Sequence, residues 1–129
     1  MEVQSGDEIP VPFSYSTENP PYNQAVCWLT WTTEETKRMV DAFLDAGFNY
    51  FDTAHGYLGG KSEIAVRECL AERYPRDAFI LTDKLTGSYF HSEADIRPFF
   101  ESQLKACGVE YFDFYLMHSQ CALNYPHFK

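Results

Sequence analysis

Basic residues are scarce. Ten Lys and Arg stand against 19 Asp and Glu, a net charge of −9 over 129 residues with four histidines counted neutral. So acidic a surface repels phosphates, which argues against general nucleic-acid or anionic-membrane binding. Long apolar runs are also missing, since uninterrupted stretches reach only a few residues, far short of the ~20 that cross a bilayer. Met1 to Gln24 holds no Lys or Arg and no apolar core segment, so a signal peptide is not expected. The four cysteines (Cys27, Cys69, Cys107, Cys121) are scattered, with no CxxC pair and no zinc-like spacing. That usage fits a reduced, cytoplasmic protein better than a disulfide framework. Among the seven glycines, no GxGxxG follows a strand and no P-loop occurs, which excludes the usual dinucleotide and nucleotide-triphosphate fingerprints.

What remains is enough to fold. Apolar residues make up 45% of the chain and aromatics 17%, which suits one modest packed domain. Residues 1–24 stand apart, with Pro10, Pro12, Pro20 and Pro21, four acidic residues and no basic one. They are expected to form a mobile, acidic, Pro-rich arm. From residue 25 the pattern becomes regular. Ala25 to Trp31 is a short strand-like run. Thr32 and Glu35 offer a capping box to a helix with Met39, Val40, Phe43 and Leu44 on one face, stopped at Gly47. Asn49 to Thr53 is strand-like, and a helix from Ser62 to Arg73 should turn Ala65, Val66, Cys69 and Leu70 inward before Pro75 ends it. Ala78 to Thr82 is a third strand. Ser92 can cap a helix with Ile96, Phe99, Phe100, Leu104 and Cys107 inward, stopped at Gly108. Tyr111 to Met117 is a fourth strand. The order β-α-β-α-β-α-β with short connections predicts an α/β fold with parallel strands. An open doubly wound sheet and part of a (β/α)8 barrel share this order.

Ionisable groups sit at the strand ends. Asp52 ends the second strand, Lys84 follows the third and His118 follows the fourth, at separations of 32 and 34 residues. A barrel unit repeats every ~31 residues, and its active site lies on the face where strands end. Taken singly, each is an ordinary turn, solvated or structural residue; the joint placement argues for a site. Tyr57 completes it. A phenol ionises near ~10 in water, and a neighbouring ammonium such as Lys84 favours the phenolate. Asp52 can hold that ammonium, and a neutral His118 can donate to a carbonyl oxygen. Together they could protonate a carbonyl while hydride arrives at its carbon. Two other chemistries use overlapping residues: Lys84 as a Schiff-base nucleophile, and Asp52, His55 and His118 as hydrolytic metal ligands. No HxH pair supports the latter, so no metal is expected.

At these positions the chain resembles the aldo/keto reductase family. The matching stretch is GFNYFDTAHGYLGGKSE (residues 47–63), followed by Lys84 in LTDKL and His118 in YLMHS. Asp52, Tyr57, Lys84 and His118 match the family's Asp-Tyr-Lys-His tetrad one by one, and the resemblance runs from about Thr32 to Gln120. The Gly59-Gly60-Lys61 insertion looks most like a bacterial subgroup whose complete members often carry a C-terminal iron–sulfur domain. The resemblance implies a (β/α)8 barrel, a small carbonyl substrate and NADPH, with Tyr57 as general acid, Lys84 and Asp52 tuning it, and His118 orienting the carbonyl. It places Asp52 and Lys84 near the cofactor, with Thr30, Trp31 and Ser119 as further cofactor-binding candidates. The sequence holds four strand signals where the family closes eight, and most of the family's cofactor grip lies in the second half. The expectation is therefore residues 25–129 as the N-terminal half-barrel of a truncated or split gene product, weak or inactive alone. Its unpaired strand edges suit a homodimer or a complementing half-barrel. The alternative is a non-catalytic binding or assembly module derived from such a half-barrel.

Overall fold

The computed structural model describes residues 32–129. The acidic arm, the strand expected at 25–31 and the candidates Thr30 and Trp31 lie outside the described residues. The elements are α1 (Thr33–Asp45), β1 (Tyr50–Asp52), α2 (Lys61–Val66), β2 (Ile80–Thr86), α3 (Glu93–Cys107), β3 (Phe114–His118) and α4 (Tyr125–Phe128). The strands form one parallel sheet in the order β1-β2-β3, so each helix between strands is the crossover of a βαβ unit.

Local chemistry sets the boundaries. Thr32 Oγ1 accepts from the Glu35 N–H at 3.2 Å, and the Glu35 carboxylate accepts from the Thr32 N–H at 2.9 Å, so the expected capping box starts α1. Ser92 and Asp95 do the same for α3, with the Asp95 carboxylate also taking the His91 N–H at 3.0 Å. Gly108 ends α3 at φ +68, where a side chain is strained. The expected second helix is α2 followed by one wider turn, Arg67–Ala71, closed by the Glu72 N–H on the Arg67 carbonyl at 3.0 Å.

Two strands differ from expectation. β2 does not end at Thr82 but runs on through Asp83 and Lys84 to Thr86. The apolar run stops early, yet both charged side chains find partners on opposite faces, so the ladder continues. β3 starts at Phe114 rather than Tyr111, because the Asp113 carboxylate takes the Leu81 N–H at 2.8 Å and the Tyr111 carbonyl takes Arg76 at 2.9 Å. Lys84 therefore lies within a strand, and His118 is the last residue of one.

Alternation along the strands sorts the side chains. Phe51 and Leu81 face the helices and join a core of Val40, Cys69, Leu70, Phe79 and Cys107. Cys69 and Cys107 are buried as small hydrophobes, as their stripes suggest. Met39 and Phe43 are exposed, so α1 buries a narrower face than its sequence pattern indicates. Tyr50, Phe114 and Leu116 lie on the other face of the sheet with Asp52, Lys84 and His118, and stay 47%, 53% and 43% exposed.

Candidate active site

The sheet register assembles the site. Asp52 pairs with Thr82, Lys84 with Leu116 and Thr86 with His118, so all the polar members of this group project from the C-terminal ends onto the open face. Lys84 is 7% exposed. Its ammonium donates to the Asp52 carboxylate and, at 2.7 Å, to the Thr53 carbonyl. Asp52 keeps 42% of its side chain exposed. The Lys84 Nζ lies 4.7 Å from the centroid of the Tyr57 ring. Tyr57 Oη and His118 Nε2 are 3.5 Å apart, and His118 Nδ1 is 2.9 Å from Thr86 Oγ1.

Tyr57 stands on a loop pinned from below. Its N–H donates to the Ala54 carbonyl at 3.0 Å, Thr53 Oγ1 meets Ser62 Oγ at 2.8 Å, and His55 Nδ1 meets the buried Glu63 Oε2 at 2.9 Å. Leu58, Gly59 and Gly60, at φ +53, +61 and +86, turn the chain back into α2. The residue after His118, Ser119, is also left-handed at φ +55 and exposed. For side chains other than glycine such a backbone costs roughly 1–2 kcal/mol.

All four tetrad candidates come together; the other groupings do not. His55 turns to Glu63 and packs edge-on against Tyr89 and Phe99, away from Asp52 and His118. No cluster able to hold a metal forms among the described residues. Lys84, locked to a carboxylate, is not presented as the free amine a Schiff base needs. A cavity of about 500 Å3 between α1 and α2, lined by Val40, Phe51 and Cys69 among others, contains none of the tetrad.

Behind β2 lies a polar layer that sequence reasoning missed. Asp83, Glu63 and Gln103 are all buried. Gln103 Nε2 donates to Glu63 Oε1 at 3.2 Å, Asp83 Oδ1 at 3.1 Å and the Lys84 carbonyl at 3.1 Å, while Tyr115 Oη donates to Gln103 Oε1 at 2.5 Å. Burial pushes the Asp83 carboxyl up to about 7; the Lys84 N–H opposes this and the Glu63 carboxylate adds to it. Burial likewise raises Cys107 and Tyr115. Gln103 sits four residues before Cys107 on the apolar stripe of α3, and a polar residue there was the available signal.

Parallel strands joined through helices, with the ionisable groups at one strand end, define a segment of a barrel-type α/β enzyme fold. The model of the aldo/keto reductase family matches residues 25–123, and the chain belongs to that family. It is 37% identical over 105 residues to the 4-dihydromethyl-trisporate dehydrogenase of Mucor mucedo, covering 77% of this chain and 31% of the relative. It is 35% identical over 83 residues to human aldo-keto reductase family 1 member C3, covering 63% of this chain and 25% of that one. Among solved structures, an aldo-keto reductase from Klebsiella pneumoniae in complex with NADPH superposes with a TM-score of 0.61 at 25% identity, over 69% of this chain and 30% of that one. An aldo/keto reductase from Brucella melitensis gives 0.54 at 30% identity, over 67% and 32%. The chain thus spans under a third of the length of these relatives.

Proposed function

We propose that this chain carries the proton-donating half of a nicotinamide-dependent carbonyl reductase, with Tyr57, Lys84, Asp52 and His118 as its working residues. The observation that carries the reading is the pair of potential donors, Tyr57 Oη and His118 Nε2, set 3.5 Å apart on the open face above the Lys84 ammonium. A carbonyl oxygen can lie about 2.8 Å from both atoms at once. In this reading Tyr57 gives its proton to that oxygen, and the negative charge left on the phenolate is stabilised by Lys84. Asp52 and the Thr53 carbonyl keep the ammonium in place. His118 orients the carbonyl.

The open-face donor set suits the sugar end of a nicotinamide nucleotide. The partly exposed Asp52 carboxylate can accept from a hydroxyl, and the exposed Ser119 in the turn after β3 can donate or accept. Asp52 and Ser119 would hold NADPH there, with Lys84 acting through Asp52. The bound group would supply the hydride.

The test is a fluorescence titration of the purified chain with NADPH, using Lys84→Met as control, alongside reduction of simple aldehydes and ketones. Saturable binding lost in Lys84→Met, and a rate lowered about 10²–10⁴-fold by Tyr57→Phe, are the expected results. Absence of turnover in wild type and Tyr57→Phe alike would favour the non-catalytic module, and turnover indifferent to Tyr57→Phe would remove Tyr57 as the proton donor. The exposed Tyr50, Phe114 and Leu116 support one further element of the reading: this face is covered by additional barrel strands in the working protein.

A further inference from the structure

Resting on the carbonyl-reduction reading, we propose that Thr86 is a positioning residue that holds His118 as the neutral imidazole protonated on Nε2, so that Nε2–H faces the substrate oxygen. A neutral imidazole has one proton, and the bond made by one ring nitrogen decides where it resides. Thr86 Oγ1 is 2.9 Å from Nδ1 and has no other hydrogen-bond partner among the described residues. Thr86 and His118 are ladder partners of β2 and β3, so the backbone itself sets their separation. The branched threonine side chain has few rotamers, which adds to the preorganisation.

The hydroxyl can either donate to Nδ1 or accept from it, and the other side of the ring discriminates. At 3.5 Å, the contact between Tyr57 Oη and Nε2 is long for a hydrogen bond in either direction and does not itself fix the ring proton, so the substrate oxygen decides. The two rings meet edge to face, with centroids 5.6 Å apart. A carbonyl oxygen placed between them accepts only. A bare Nε2 would turn a lone pair toward the oxygen's own lone pairs. With Thr86 donating to Nδ1, the ring's lone pair is used internally, and both groups facing the substrate are donors.

Long-range 15N–1H NMR of the histidine rings tests this at a pH where the His118 ring is neutral, with its signals assigned by their loss in His118→Gln. Wild type and Thr86→Ser should show a protonated Nε2 and a bare Nδ1. Thr86→Val should shift His118 toward a mixture, with Thr86→Ala as a second hydroxyl-free variant should Val disturb the fold. If active on a carbonyl, Thr86→Val should lose about tenfold or more in kcat, recovered in Thr86→Ser. A wild-type ring protonated on Nδ1, or hydroxyl-free variants with an unchanged tautomer, overturns the proposal. The spectrum needs no turnover, so absent activity counts against the reductase reading alone.

Discussion

At the scale of single residues, β2 separates two kinds of electrostatics within one step of the chain. Lys84 points to the open face and is neutralised by Asp52; Asp83, its neighbour, points to the helices, where its carboxylate meets Gln103, the Lys84 N–H and the Cys107 thiol but no paired cation. The consequence is a pH-dependent stability. Asp83 titrates near 7 when folded, whereas an unfolded aspartate titrates near ~3.9. The folded chain thus binds the proton more tightly, so this contribution is complete below about pH 4, declines as pH rises to about 7, and is flat above. Asp41 and Asp95, held low by Arg73 and by the His91 and Ser92 N–H groups, act in the opposite sense at more acid pH. Urea unfolding of Asp83→Asn should therefore vary less between pH 4 and 7 than that of wild type. At pH 8 the variant should be the more stable, by an amount on the order of 2–4 kcal/mol. Parallel profiles for the two proteins would show that Asp83 ionises normally.

At the scale of elements, the connections after the strands carry the strain and the glycines at helix ends relieve it. Gly108 was legible as a stop because α3's apolar stripe ends one residue before it. What the stripe does not reveal is that Gly108 also lies against the wider turn that follows α2: a Cβ there would come within 2.6 Å of Arg67 Cγ. Gly108→Ala should lower stability by about 1–2 kcal/mol, from the left-handed φ and the displaced arginine stem, read as a lower urea midpoint with unchanged slope. A variant as stable as wild type would mean that α3 ends without the left-handed turn. Helix starts were equally legible, since Thr32–Glu35 and Ser92–Asp95 are local motifs needing no tertiary partner. Strand ends were not. Asp83 and Lys84 look like the end of an apolar run until Gln103 and Asp52, 20 and 32 residues away, satisfy them.

For the whole molecule, the uneven sheet is the governing fact. One face packs on helices; the other presents Tyr50, Phe114 and Leu116 to solvent, with Tyr50 and Phe114 rings 6.3 Å apart. A parallel sheet is normally covered on both faces, and an exposed aromatic face favours association. Sedimentation velocity over a range of concentrations should show this chain self-associating or, when supplied with the remaining barrel strands, forming a stoichiometric complex. Phe114→Asp should weaken either. A compact monomer, cooperative in unfolding and indifferent to Phe114→Asp, would mean that the open face needs no cover. The absence of Lys and Arg in excess sets the sign of the field but not this behaviour, because the net charge of −9 resides in side chains that a sheet face can exclude.

By itself the sequence determined the things that depend on short range: the helix caps, the parallel alternation of strand and helix, and the residue types Asp52, Lys84 and His118, whose spacing near the barrel repeat marks one end of the sheet, with Tyr57 in the loop after Asp52. Only the tertiary structure decided how they meet. The register that sets Thr86 against His118 and the burial that leaves Asp83, Glu63 and Gln103 in one polar layer both join residues on different strands and helices. Register and burial are properties of packed elements, summed over many weak contacts, and no single stretch of sequence contains them.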